Sequence, residues 1–209
     1  MKKDPVGAHE REWDRIEGVL RTEAEAIARL PLTLERRAVA RCVAVLDRCR
    51  GRIITIGAGT SAAAARKVAH SLCCIERPAF FLSPADAPHG ALGVVAKGDV
   101  AILFSKGGRT GEVNRILAPL RAKGAYLVAV TGNARSPLAR ASDLVLRVGV
   151  QREADPFDLL ATASTLAVIA VFDAICVALM SRRRYTRDRF AVIHPGGAVG
   201  ERLRGRARA

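Results

Sequence analysis

Three times along this 209-residue chain a short apolar run ends in a cluster of glycines and hydroxyl residues, and the first two pass straight into a helical pattern. Ile53 to Ile56 leads into Gly57-Ala58-Gly59-Thr60-Ser61 and an alanine-rich helical segment. Val100 to Phe104 feeds Ser105-Lys106-Gly107-Gly108-Arg109-Thr110 and a helix over about 111–121, and Tyr126 to Val130 ends in Thr131-Gly132-Asn133. Ala79 to Leu82 and Leu144 to Val150 are two further strand-like runs. Strands this apolar need cover on both faces, and strands alternating with helices are joined by crossovers. The expectation is a three-layer α/β/α sandwich around a parallel sheet of about five strands, with right-handed connections.

Two helices precede the sheet. Trp13, Ile16, Leu20, Ala24, Ile27 and Leu30 recur at three- and four-residue steps, which predicts an amphipathic helix from about His9 to Leu30, ended by Pro31. Thr33 is then expected to cap a second helix carrying Leu34, Ala38, Cys42, Val45, Leu46 and Cys49. With no strand of their own, these helices are expected to pack across one side of the sheet or against another subunit. The reading is one domain over 1–209: helices in 1–50, an α/β core in 51–203 and a basic tail in 204–209.

A hydrophobic share of 50% excludes disorder as the main state. Lys and Arg number 34 against 20 Asp and Glu, a net charge of +14 that suits an anionic partner. Only 4% of residues are aromatic, which argues against base stacking on nucleic acid. The run Arg202, Arg204, Arg206, Arg208 reads as a solvated basic tail. Five cysteines, an odd number without a Cys-x-x-Cys pair, indicate a reduced intracellular protein. No signal peptide is read at the N-terminus. The apolar segment Leu159–Met180 reads as a helix buried in the core or against another subunit rather than a membrane span. A cytoplasmic location follows from these readings.

In parallel sheets ligands bind at the carboxyl ends of the strands, where loops enter helix N-termini. Small residues there let the backbone approach a ligand, and oriented N–H groups with hydroxyls favour a phosphate. The first loop is not a dinucleotide fingerprint, because Ala62 stands where the third glycine belongs, and it is not a Walker loop. Singly, each loop is as well explained by a tight turn; together, on consecutive strands, they favour a phosphate site.

Four ordered motifs now carry a resemblance: Gly57-Ala58-Gly59-Thr60-Ser61, Ser105-Lys106-Gly107-Gly108-Arg109-Thr110, Arg152-Glu153-Ala154-Asp155-Pro156 and His194-Pro195-Gly196-Gly197-Ala198. With the loop Pro84-Ala85-Asp86-Ala87-Pro88-His89-Gly90, the chain resembles a sugar isomerase (SIS) domain from about Leu32 to Leu203. It is most similar to the arabinose-5-phosphate isomerase branch. Many members carry a C-terminal pair of CBS domains, for which this sequence is too short.

The resemblance implies a site for a phosphorylated sugar, with no metal or cofactor. Gly59, Thr60 and Ser61 fall in its first loop. Ser61, Ser105 and Thr110 match hydroxyls that hold the phosphate, helped by Ser164 and Thr165 in the helix start Thr162-Ala163-Ser164-Thr165. Gly107 stands where the family usually has serine, and Lys106 and Arg109 bracket that gap as sources of charge or as solvated loop residues. Aldose–ketose isomerisation moves a proton between C1 and C2 through an enediol, work suited to carboxylates and histidines. Glu112, Glu153 and His194 match the family's catalytic set, with Glu153 the leading base, and His89 matches its loop histidine. On their own these residues have plainer readings: Glu112 facing a helix dipole, Glu153 in a surface ion pair, His194 as a structural histidine. Thr60 departs from the branch, which usually has lysine there. Family members are usually tetramers in which a histidine from the next subunit completes the cleft, and His194 matches it. The competing class is a SIS-fold sensor that binds a sugar phosphate without turnover. SIS-containing transcription regulators carry a helix-turn-helix domain, whereas the first fifty residues here read as two long helices.

Overall fold

The computed structural model describes residues 5–205. Of the expected basic tail, residues 206–209 lie outside the described residues, as do residues 1–4. Five strands form one sheet: β1 (Ile53–Gly57), β2 (Ala79–Phe81), β3 (Val100–Phe104), β4 (Tyr126–Thr131) and β5 (Leu144–Arg147). Their order is β2-β1-β3-β4-β5, and every neighbouring pair is parallel. The register sets Ile54 beside Ala101 and Ala101 beside Leu127, so these three share one face, and alternate residues along each strand share a face with them. The central strands β1 and β3 are buried throughout, as strands covered on both faces must be.

The helices are α1 (Pro5–Ala28), α2 (Leu30–Thr33), α3 (Arg36–Arg48), α4 (Thr60–Cys73), α5 (Gly111–Arg115), α6 (Leu117–Ala122), α7 (Pro137–Arg140), α8 (Ala163–Arg182), α9 (Arg187–Ile193) and α10 (Gly197–Gly205). On one face Ile53, Ile102, Phe104 and Val130 meet side chains of α3, α4 and α8, including Leu46, Val68 and Phe172. The Phe104 and Phe172 rings lie 5.3 Å apart in a tilted pair. On the other face Ile54, Leu103 and Ala129 meet α5, α6 and Leu138 of α7. Helix α8 is long and apolar enough to span a membrane. It packs against α4 and α1, and Ala167, Val171, Phe172, Ile175 and Leu179 are buried in the sheet-facing core. Cys42 and Cys176 are buried in the same core, where burial pushes their thiols up to about 12 and about 11. They act as small hydrophobes, and all five cysteines are free thiols.

Several local expectations change. The first helix breaks ahead of Pro31, two residues earlier than expected: α1 stops at Ala28, and Pro31, which cannot donate to the Ile27 carbonyl four residues back, sits in the first turn of α2. Thr33 does not cap α3: its hydroxyl donates to the Arg29 carbonyl at 3.3 Å, and Glu35 occupies the cap position without a side-chain hydrogen bond. The helix expected over 111–121 breaks at Ile116 into α5 and α6. Pro119 is the cause, since it cannot donate to the Arg115 carbonyl four residues back. The strand after Leu144 ends at Arg147, and α8 starts at Ala163 rather than Leu159. Asp155 holds the intervening loop by accepting the amides of Phe157, Leu159 and Leu160 at 2.8–2.9 Å.

Candidate active site

Helix α4 begins where β1 ends. Gly59 takes its cap position with a φ of +56°, a left-handed value natural to glycine, and Thr60 and Ser61 form the first turn. The loop after β3 is held more tightly. Ser105 is buried; its hydroxyl shares a hydrogen bond with that of Thr110 at 2.8 Å and accepts the Gly108 amide at 3.1 Å. The Lys106 carbonyl accepts the Thr131 hydroxyl at 3.0 Å and the Gly132 amide at 2.9 Å, which ties this loop to the one after β4. Gly108 has a φ of +65°, and a Cβ there would lie 2.1 Å from the Ser136 hydroxyl oxygen. Ser136 in turn caps α7 by accepting the Ala139 amide at 3.2 Å.

These loops surround a small cavity of about 60 Å³ at the carboxyl ends of β1, β3 and β4. Thr60, Ser61, Ser105, Lys106, Thr131, Ser164 and Thr165 contribute its polar lining, over a floor of Phe104, Val130 and Val148. Lys106 is the single charged side chain among the lining residues. A larger cavity of about 700 Å³ adjoins it through Lys106, Val148 and Ser164, with Gly107, Arg147 and Arg152 on one wall and Thr22, Glu25 and Arg29 on the other. The N-terminal helices therefore wall the site as well as covering the sheet. Arg152 docks them there, donating to the Thr22 hydroxyl at 3.2 Å.

Glu153 lies behind Lys106, with its side chain fully shielded from solvent. One oxygen, Oε1, faces the Lys106 ammonium at 2.6 Å. The other, Oε2, accepts the Thr162 and Ser164 amides at 3.0 Å each and the Thr162 hydroxyl at 3.3 Å. The carboxylate thereby neutralises the positive end of α8. Burial pushes this carboxyl up, but the hydrogen bonds from Lys106, Ser164 and Thr162 outweigh burial and hold it at about 2. The partner of Glu153 is thus Lys106 and not the neighbouring Arg152.

Thr60, Ser61, Ser105, Lys106, Ser164 and Thr165 converge on one cavity, Gly107 borders the next, and Thr110 joins through Ser105. Glu112, in the first turn of α5, and His89, at the end of the 3-10 turn Ala87–His89, are both exposed, and neither lines these cavities. His194 ends α9, stacked on the Phe190 ring at 3.9 Å, and it lines neither cavity. Lys67 is engaged elsewhere, paired with Asp173 of α8. Thr22, Arg29, Arg147 and Ser136 were not singled out from sequence. Ser136-Pro137 is a legible helix start; the other three reach the site only through long-range packing.

Residues 47–178 match the SIS domain family model. A candidate sugar-phosphate isomerase from Listeria monocytogenes is 46% identical, with a TM-score of 0.88 over 94% of this chain and 100% of that one. An Escherichia coli CFT073 protein solved in complex with A5P is 33% identical, with a TM-score of 0.85 over 92% of this chain and 100% of that one. The arabinose 5-phosphate isomerase KdsD of Pseudomonas aeruginosa is 39% identical over 154 residues, 74% of this chain and 47% of that protein. The chain spans about half the length of the curated relatives it matches. This chain belongs to the SIS domain family. Within it, the single SIS domain groups with the arabinose-5-phosphate isomerase-like branch.

Proposed function

We propose that this chain is a phosphosugar aldose–ketose isomerase acting on a substrate like arabinose 5-phosphate through an enediol. The observation that carries this reading is the convergence of Ser61, Ser105, Ser164 and Lys106 on one cavity, with the Glu153 carboxylate directly behind it. The first-turn amides of α4 and these hydroxyls supply donors for a phosphate, while Thr110 orients Ser105. Glu153 takes the C2 proton and returns it to C1. The family resemblance assigns proton transfer between oxygens and ring opening to Glu112, His89 and His194, none of which lines its own chain's cavities. His194 does this from a neighbouring subunit, which agrees with its position away from its own chain's cavities.

The assembly in this reading is a homotetramer. Trp13, Ile16, Leu20 and Ile27 of α1 are exposed, as are Phe157, Leu159, Leu160 and Val177, a large apolar area for a lone domain. The protein works in the cytoplasm on a phosphorylated sugar, without metal or cofactor, and neither nucleic acid nor a membrane is its partner. A sensor without turnover is the second reading, favoured by Thr60 in place of the branch lysine. A panel of pentose, hexose and heptose phosphates, scored by exchange of the C2 proton for solvent deuterium, separates the two. Exchange with one class supports the isomerase; binding with no exchange anywhere in the panel supports the sensor.

A further inference from the structure

The Glu153 carboxylate lines neither cavity, yet Lys106, which covers it, lines both. Oε2 is committed to three donors at the start of α8. Only Oε1 is left for chemistry, and its place is taken by the Lys106 ammonium at 2.6 Å. A substrate atom can reach Oε1 only by displacing that ammonium. The two partners differ sharply in freedom: the Lys106 side chain is 53% exposed and the Glu153 side chain 0%. The lysine can swing into the cleft; the carboxylate, gripped by backbone amides, cannot follow.

Among the described residues, Lys106 is the one charged group paired with this oxygen. Arg152 is turned to Thr22, Asp158 accepts the Glu153 amide at 2.6 Å, and Asp155 is spent on loop amides. Glu25, Arg29 and Arg147 border the larger cavity, and Lys67 and Asp173 pair with each other between α4 and α8.

We propose that Lys106 is a movable cover on the catalytic carboxylate: it shields Glu153 in the free protein, and an anionic phosphosugar draws it into the cleft, freeing Oε1 as proton acceptor. The proposal rests on the reading of Glu153 as the base. Removing the ammonium leaves a buried carboxylate without its counter-ion, and desolvation then raises its proton affinity at the moment a proton is to be taken. The C2–H bond breaks with its proton going to Oε1, and its electron pair forms the C1=C2 bond. The carbonyl electron pair moves onto O1, where the displaced ammonium balances the charge. Protonation of O1, loss of the O2 proton and return of the Oε1 proton to C1 complete the ketose, with no oxidant or reductant. Lys106 is thus first a positioning residue and then a stabiliser of the enediolate.

The test follows the Glu153 side chain itself. Protein labelled with 13C at the glutamate carboxyl is titrated with and without saturating arabinose 5-phosphate; Glu153→Gln assigns the signal and calorimetry reads binding. The Glu153 midpoint is expected to rise by about one pH unit or more on binding, at least a tenfold gain in proton affinity. In Lys106→Met it is expected to be high already and to stay there on binding, while Lys106→Arg keeps the low midpoint and its rise. Binding that leaves the wild-type midpoint unmoved overturns the cover and spares the functional reading. Failure of arabinose 5-phosphate to bind overturns that reading and the cover with it.

Discussion

Lys106 and Glu153, 47 residues apart in the chain, meet at 2.6 Å on the wall between the cleft and the start of α8. The same carboxylate caps that helix, so one side chain joins the site's electrostatics to the stability of the fold.

That union makes stability depend on pH. The folded carboxyl is held at about 2, below its ordinary value of 4.5, so its contribution is full above about 4.5 and is lost as pH falls toward 2. Discounted for the half-exposed lysine, the contribution is on the order of 2–3 kcal/mol. Urea unfolding of wild type and Glu153→Gln is expected to differ by this amount at pH 6. The gap should narrow steadily below pH 4.5. A gap constant across that range would contradict the lowered carboxyl.

Ser105→Ala is expected to weaken phosphosugar binding about tenfold or more, a hydrogen bond to a charged group being worth ~1.5–3 kcal/mol, and Thr110→Ala to weaken it less, through the lost orientation of Ser105. Calorimetry with phosphorylated and unphosphorylated sugar checks it. Equal affinity of the wild type for both would remove the phosphate from this cavity.

Thr60 lines the cleft beside Ser61. If the hydroxyl at this position limits turnover of arabinose 5-phosphate, Thr60→Lys should raise the rate or tighten binding. No gain in either would assign the substrate preference elsewhere, first to the His89 loop.

Gly108→Ala is expected to lower stability by about 1–3 kcal/mol through left-handed strain alone. The clash of the new methyl with Ser136 adds to this. Thermal melts of Gly108→Ala, Ser136→Gly and the double variant separate the two contributions, the single Ser136→Gly accounting for the lost α7 cap.

The exposed α1 face predicts assembly. Trp13→Glu with Leu20→Glu should lower the mass measured by light scattering at micromolar concentration. Mixing Glu153→Gln with His194→Ala should restore some activity if His194 serves a neighbour's cleft. A monomeric wild type, or subunit exchange without rescue, would rule out the shared site.

Local chemistry made much of this protein legible from its sequence. The apolar runs at Ile53, Val100 and Tyr126, each followed by glycines and hydroxyls, determined a parallel sheet with a ligand cleft at its carboxyl end, because strand period and turn preference act over a few residues. Pro119 and Ser136-Pro137 encode the helix break and the α7 start in the same local way. The tertiary structure alone decided that Lys106 covers Glu153, that Arg152 turns to Thr22, and that α1 walls the larger cavity. These are relations between segments 47 and 130 residues apart, set by strand order and crossover, and no periodicity or spacing encodes them. The carboxylate's burial and lowered proton affinity follow from that placement, since a charge is tuned by what surrounds it and not by its neighbours in sequence.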